Sequence, residues 1–194
     1  MEAQNRLFPV FLKLEQLNVL VVGGGNVALE KVSAMLRNAP ASKISMVAPF
    51  FREELLAYLK DFSQVELIHR AFEVQDLDGR DLVICTTDRY DLHVEISELA
   101  KQRHLLCNVA DTPALCDFYL GSIVQKGDLK IAISTNGKSP TLAKRIRAFL
   151  EEVIPDDIQT SLDSLEVLRK ELKGDFDSKI KALNELTKGL IFKK

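Results

Sequence analysis

The stretch "CNVADTPALCDF", residues 107–118, brings thiols and carboxylates together: Cys107, Asp111, Cys116 and Asp117. Four chemistries compete for it: a metal site, a redox pair, a catalytic carboxylate on a loop, and a turn with incidental thiols. Zinc sites favour closely spaced C-x2-4-C pairs within a set of four ligands. Cys107 and Cys116 are too far apart for that, and no His or Cys partner recurs beside them, so no metal is expected. His104 precedes Cys107 by three but falls at a helix exit, and His69 and His93 have no motif around them. Cys85 and Cys107 read as buried strand thiols, small apolar side chains rather than ligands. Asp111 has two readings: a proton acceptor at a crevice mouth, or a turn residue binding nearby backbone N–H groups.

A second group is the loop in "VLVVGGGNVALEKV". Gly23, Gly25 and Ala28 match G-x-G-x-x-A directly after a strand and at the opening of a helix, the context that gives this motif meaning. Gly23 would allow the tight turn, Gly25 would let the backbone approach a pyrophosphate, and Ala28 would let helix and strand pack closely. The N–H groups at the helix start would then bind phosphates. The competing reading is a glycine turn in an α/β protein without a nucleotide. The acidic residue that usually ends the second strand and holds ribose hydroxyls is missing, since that strand closes on "VAPF". The adenosine would then rest on backbone and apolar contacts near Pro49 and Phe50. Arg52 lies three positions past Pro49, not at the strand end where a 2′-phosphate is met, so NAD is preferred over NADP.

The elements that must position these residues alternate. Strands are expected at 18–22, "KISMVAP", "VELIHRAF", "LVICTT" and "LLCNVA". Helices are expected after the glycine loop, over "FREELLAYLKDF", and over "LHVEISELAKQR" with Asp88 as N-cap. This alternation calls for a doubly wound parallel sheet over about residues 16–115. Ligands of such sheets lie beyond the carboxyl ends of the strands, where Thr86, Thr87, Asp88 and residues 108–113 would gather. "FYLGSIVQKGDLKIAIST" then reads as a β-hairpin with a longer, glycine-containing loop. A helix capped by Ser139 with Pro140 in its first turn follows. Past Pro155 two helices broken near Gly174 are expected, with Leu162, Leu165 and Leu168 as an apolar stripe.

Composition sets limits on function. The chain has 194 residues, 46% of them hydrophobic and 28% charged, with net charge −2, the profile of an ordinary globular protein with no basic surplus for nucleic acid. No signal peptide or membrane-length apolar run is found, and three cysteines make no disulfide framework, so a cytoplasmic location is expected.

"FPVFLKL", "VLVVGGGNVALEKV", "VAP", "CTTD", "NVADTP", the segment Phe118 to Val124 and "IAISTNGKSPTLAKRIRAFLE" follow one another as in precorrin-2 dehydrogenases, a family that includes the dehydrogenase–ferrochelatase half of siroheme synthase. The resemblance spans about residues 7–155. It implies an NAD-binding Rossmann-like domain over 1–115, a dimerisation and substrate-cleft region over 116–155, and a C-terminal helical region over 156–194. It implies NAD-dependent oxidation of precorrin-2 to sirohydrochlorin by a homodimer whose subunits share a cleft. Some members also insert ferrous iron into the product, which makes Fe2+ a candidate second substrate.

By the same resemblance Asp111 matches the family's essential aspartate. Gly23, Gly24, Gly25, Asn26 and Val27, with Pro49, Phe50, Thr86 and Thr87, are the expected cofactor contacts. Ser134, Lys138, Lys144, Arg145 and Arg147 are candidates for the carboxylates of precorrin-2; the alternative for the basic ones is an ordinary solvated helix face. Thr135 stands where some relatives carry a serine that is phosphorylated, and Asn136 replaces a common glycine. A non-catalytic dinucleotide sensor is the competing function; it would need the same loop but no carboxylate after the fifth strand.

Overall fold

The computed structural model describes residues 5–172 and 176–187. They form two compact units, divided between Leu120 and Gly121.

In the first unit β1 (Asn18–Val22), β2 (Lys43–Ala48), β3 (Val65–His69), β4 (Leu82–Cys85) and β5 (Leu106–Val109) form one sheet in the order β3-β2-β1-β4-β5, every pairing parallel. The central strands are apolar runs because both of their faces are covered. Val19, Val21, Ile44, Met46, Leu82 and Ile84 pack beneath α1 (Asn26–Asn38) and α2 (Glu53–Leu59). Leu20, Val22, Val47, Val83, Cys85, Cys107 and Val109 face the other way, toward Ile96 and Ala100 of α3 (Tyr90–Gln102). Cys85 and Cys107 are fully buried in this second layer, as strand thiols should be.

Three local expectations are corrected. The helix expected over 51–62 is confined to Glu53–Leu59, since the extended backbone at Arg52 delays its start. Asp88 does not cap α3: the N-cap position falls on Arg89, which makes no side-chain capping bond, and Arg89 N–H donates instead to Thr87 Oγ1 at 3.3 Å. The hairpin has no longer loop. Lys126 pairs with Leu129 across two residues, and Gly127, at φ +56°, supplies the left-handed first position such a turn requires.

The crossover from β3 to β4 has no α-helix. It runs through a 3-10 turn, Val74–Leu77, fixed by buried Asp76. The Asp76 carboxylate accepts two bonds from Arg70, at 2.8 and 2.6 Å, and one from Glu73 N–H at 2.8 Å. The paired Arg70 guanidinium holds the Asp76 carboxyl below the usual carboxylate range.

The second unit contains the antiparallel hairpin β6 (Ser122–Lys126) and β7 (Leu129–Ile133), then α4 (Pro140–Val153), α5 (Ile158–Glu171) and α6 (Phe176–Thr187). Ser139 caps α4 as expected, its Oγ accepting from Leu142 N–H at 3.2 Å, with Pro140 in the first turn. Gln159 on α5 closes the hairpin: its Oε1 accepts from Asp128 N–H at 2.7 Å and its Nε2 donates to Asp128 Oδ2 at 2.9 Å. The break expected near Gly174 lies outside the described residues. Among those residues no helix is long and apolar enough to cross a membrane.

Candidate functional site

In the order 3-2-1-4-5 successive strands are added on one side of β1 and then on the other, so the order switches between β1 and β4, the place beyond whose carboxyl ends sheets of this kind bind ligands. The glycine loop lies there. Gly23 takes φ +126°, and a Cβ on it would meet Thr86 Oγ1 at 2.4 Å, so the loop and the exit of β4 touch. A Cβ on Gly24 would meet Phe50 O at 2.2 Å, and Gly24 O accepts from Arg52 N–H at 2.9 Å, which ties the loop to the exit of β2. Gly25 is different: a Cβ there would find nothing of the protein within 4 Å, and its backbone, at φ −91°, is open to any residue. Neither packing nor conformation explains that glycine.

Gly25 is the N-cap of α1, where no side chain makes a capping bond and no acidic residue occupies the first turn. Free helix-terminal N–H groups next to an unfilled Cβ position suit a phosphate that comes close to the backbone. The residues present therefore fit a dinucleotide. Asn26 and Val27 begin α1, while Pro49 and Phe50 follow β2 as exposed residues beside the loop. Arg52 is engaged by Glu54, with bonds of 3.2 and 3.3 Å.

Thr86 and Thr87 follow β4. Thr86 Oγ1 donates to Val22 O at 3.0 Å, which directs its hydroxyl at the sheet. Thr87 Oγ1 lies 2.9 Å from His93 Nε2. Asp111 follows β5, exposed and at φ +56°, a left-handed position that aspartate tolerates better than most residues. The turn around it closes through Thr112 N–H to Val109 O at 3.3 Å.

The Cys116 thiol and the Asp117 carboxylate hold that turn. Cys116 Sγ lies 3.2 Å from Val109 N and 3.1 Å from Val109 O, and Asp117 Oδ2 accepts from Cys107 N–H at 2.9 Å. Asp117 N–H returns a bond to Cys107 O at 2.8 Å, and Asn108 Nδ2 donates to Phe118 O at 2.7 Å. Residues 116–118 are thus clasped along β5, and Asp111 is the tip of the loop they close. The Cys85 thiol is raised by its hydrogen bond with Cys107 and by burial, and the Cys116 thiol by burial, which favours the protonated form of both. Among the described residues no group of three or more His, Cys, Asp or Glu is arranged to hold a metal ion.

The structure brings Gly23, Gly24, Gly25, Asn26, Val27, Pro49, Phe50, Thr86, Thr87 and Asp111 to the strand-end rim of the first unit. Ser134, Lys138, Lys144, Arg145 and Arg147 belong to the second. Lys138, Lys144 and Arg145 are exposed, whereas Arg147 is half-buried with Nε 3.5 Å from Glu151. Ser134 Oγ accepts from Asn136 N–H at 3.2 Å. Thr135 Oγ1 is occupied on both sides, accepting from Ser139 N–H at 3.2 Å and donating to Ser139 O at 3.1 Å. Asn136 sits at φ +54°, which explains why glycine is common there and why asparagine can replace it. Sequence reasoning missed His93 and the clasp of Cys116 and Asp117. Only tertiary neighbours reveal them, since no local motif joins Thr87 to His93 or Cys116 to Val109.

A five-stranded parallel sheet with this order and a glycine loop at its switch point defines a dinucleotide-binding α/β protein. The chain belongs to the family described as "Putative NAD(P)-binding", whose model matches residues 10–122. Residues 126–152 match a second model, described as "Sirohaem biosynthesis protein central". Similar relatives include siroheme synthase of Thioalkalivibrio sulfidiphilus, 45% identical over 148 residues, which are 76% of this chain and 30% of that protein. Siroheme synthase of Pseudoalteromonas translucida is 41% identical over 173 residues, 89% of this chain and 34% of the relative. The chain thus spans about a third of the curated relatives it matches. Among solved structures, SirC, a precorrin-2 dehydrogenase, aligns with a TM-score of 0.73 at 24% identity, covering 95% of this chain and 92% of that one, which establishes the shared fold.

Proposed function

We propose that the chain is an NAD-dependent precorrin-2 dehydrogenase, forming sirohydrochlorin in siroheme synthesis, with Asp111 as its base. The observation that carries this is an exposed carboxylate on a clasped turn at the same rim as a glycine loop shaped for a dinucleotide. The name borne by the relatives favours this reading over a non-catalytic dinucleotide sensor.

The oxidation removes two hydrogens from the tetrapyrrole, one as hydride and one as a proton. Bound NAD supplies the hydride acceptor. Gly23, Gly24 and Gly25 admit the pyrophosphate, α1 offers its N–H groups through Asn26 and Val27, and Pro49 and Phe50 take the adenosine side. NAD is preferred to NADP because Arg52 is already paired with Glu54. Asp111 accepts the proton, and in iron insertion it would take protons from the pyrrole nitrogens that Fe2+ replaces. Precorrin-2 is a polycarboxylate, for which Lys138, Lys144 and Arg145 are the exposed cations, with Arg147 and Ser134 beside them in sequence.

The working form is a homodimer. On α4 the side chains of Leu142, Ile146, Phe149 and Val153 recur at helical spacing and are 50%, 37%, 61% and 57% exposed, an apolar stripe that a second copy would cover.

Anaerobic incubation of the full chain with precorrin-2 and NAD should produce NADH and sirohydrochlorin together. Folded protein that binds NAD yet yields neither would overturn the reading. Adding Fe2+ to sirohydrochlorin without NAD tests iron insertion separately, by the appearance of the siroheme spectrum.

A further inference from the structure

His93 is 4% exposed in the first turn of α3, and neither the glycine loop nor the Asp111 turn uses it. A buried imidazole without a partner is costly, and its Nε2 has one in Thr87 Oγ1, 2.9 Å away. The same oxygen accepts from Arg89 N–H at 3.3 Å. A hydroxyl offers one hydrogen and two lone pairs. Arg89 occupies one lone pair, and His93 takes either the hydrogen or the other lone pair. What remains is presented by Thr87 at the strand-end rim.

We propose that His93 is a positioning residue for the dinucleotide: through Thr87 it decides whether the rim offers the cofactor a hydroxyl lone pair or a hydroxyl hydrogen. This rests on the reading that Thr87 contacts the cofactor. With His93 neutral and its hydrogen on Nδ1, Nε2 accepts the Thr87 hydrogen and the outward lone pair receives a ribose hydroxyl. With His93 protonated, Nε2–H claims that lone pair, the hydrogen turns outward, and the contact with a donating hydroxyl is lost.

Burial lowers the His93 pKa, opposed by a hydrogen bond to the Thr87 backbone and by the charges of Asp88 and Asp91, so the neutral form is favoured at neutral pH. β4, β5 and the 3-10 turn Pro113–Leu115, which pack against α3, contribute no carboxylate or amine among their own residues; their ionisable groups are Cys85 and Cys107, with Cys116 and Asp117 just beyond that turn, while Asp76, in the turn Val74–Leu77, is paired with Arg70. Cys85 and Cys116 are shifted up, away from the range in which His93 titrates, whereas the hydrogen bond with Cys85 shifts Cys107 down.

The test is calorimetric titration of the full chain with NAD between about pH 5.5 and about pH 8, where an imidazole titrates and ordinary carboxylates do not. For the wild type, Kd should weaken about three- to tenfold toward the acid end, the worth of one hydrogen bond. His93→Gln, whose amide can reach Thr87 without titrating, should bind with a flat pH profile. Thr87→Val should also be flat, and this variant keeps the question answerable if His93→Gln fails to fold. A wild-type Kd independent of pH, or a wild-type profile retained in either variant, would overturn the proposal alone. A wild type that binds no NAD at any pH would overturn it together with the dinucleotide reading on which it rests.

Discussion

Asp111 concentrates the catalytic reading in one carboxylate, exposed and left-handed, on a turn held by its neighbours. Asp111→Asn keeps the shape and the tolerance of positive φ, so NAD affinity and thermal stability should be unchanged. Dehydrogenation, followed as NADH formation, should fall about 10²- to 10⁴-fold, the usual worth of a positioned base. Asp76 answers to pH in a different way. Its folded pKa lies below the unfolded value, so the stability it contributes is present above about pH 4 and lost as pH falls through the folded value. Asp76→Asn should cost about 1–2 kcal/mol near neutrality, and the gap to the wild type in urea unfolding should close in acid. At this scale local order made Asp111 legible as a carboxylate on a turn after the fifth strand, while its proposed role as a base, over that of a plain turn residue, came from the family resemblance. His93 and Cys116 were not legible, since their roles depend on atoms seven or fewer residues away along the chain but reached only after a strand, a turn and a helix have folded.

Among the elements, the loop between β1 and α1 separates packing from binding within adjacent residues. Gly24→Ala drives a methyl group into the Phe50 carbonyl and should destabilise the fold by about 2 kcal/mol or more, measured as a fall in Tm. Gly25→Ala meets no protein atom and should leave Tm near the wild-type value, yet weaken NAD binding about tenfold or more by calorimetry. Equal stability loss in the two variants would remove the phosphate argument from Gly25. The strands and the long helices could be read from apolar runs and periodicity, and Ser139 and Pro140 announced α4 by their chemistry. Asp88 misled because a good capping residue was available one position before the site where the backbone placed the cap. The hairpin loop was read as too long because "QKGD" contains both turn and strand residues, and the pairing of Lys126 with Leu129 is settled across the strands.

For the whole molecule, the proposed self-association has the clearest handle. Phe149→Asp places a charge in the middle of the α4 stripe and should shift the chain to a monomer in sedimentation equilibrium while its circular dichroism is retained. The clasp along β5 bears on association as well. A terminal strand of a sheet normally exposes N–H and C=O groups that can recruit a strand from another chain. Here the outward groups of Cys107 and Val109 are spoken for by the Asp117 carboxylate, the Asp117 amide and the Cys116 sulfur. The loop that carries the proposed base therefore also seals that margin of the sheet against intermolecular strand addition. Protection from aggregation and presentation of Asp111 depend on the same four residues of chain, and damage to one is damage to the other.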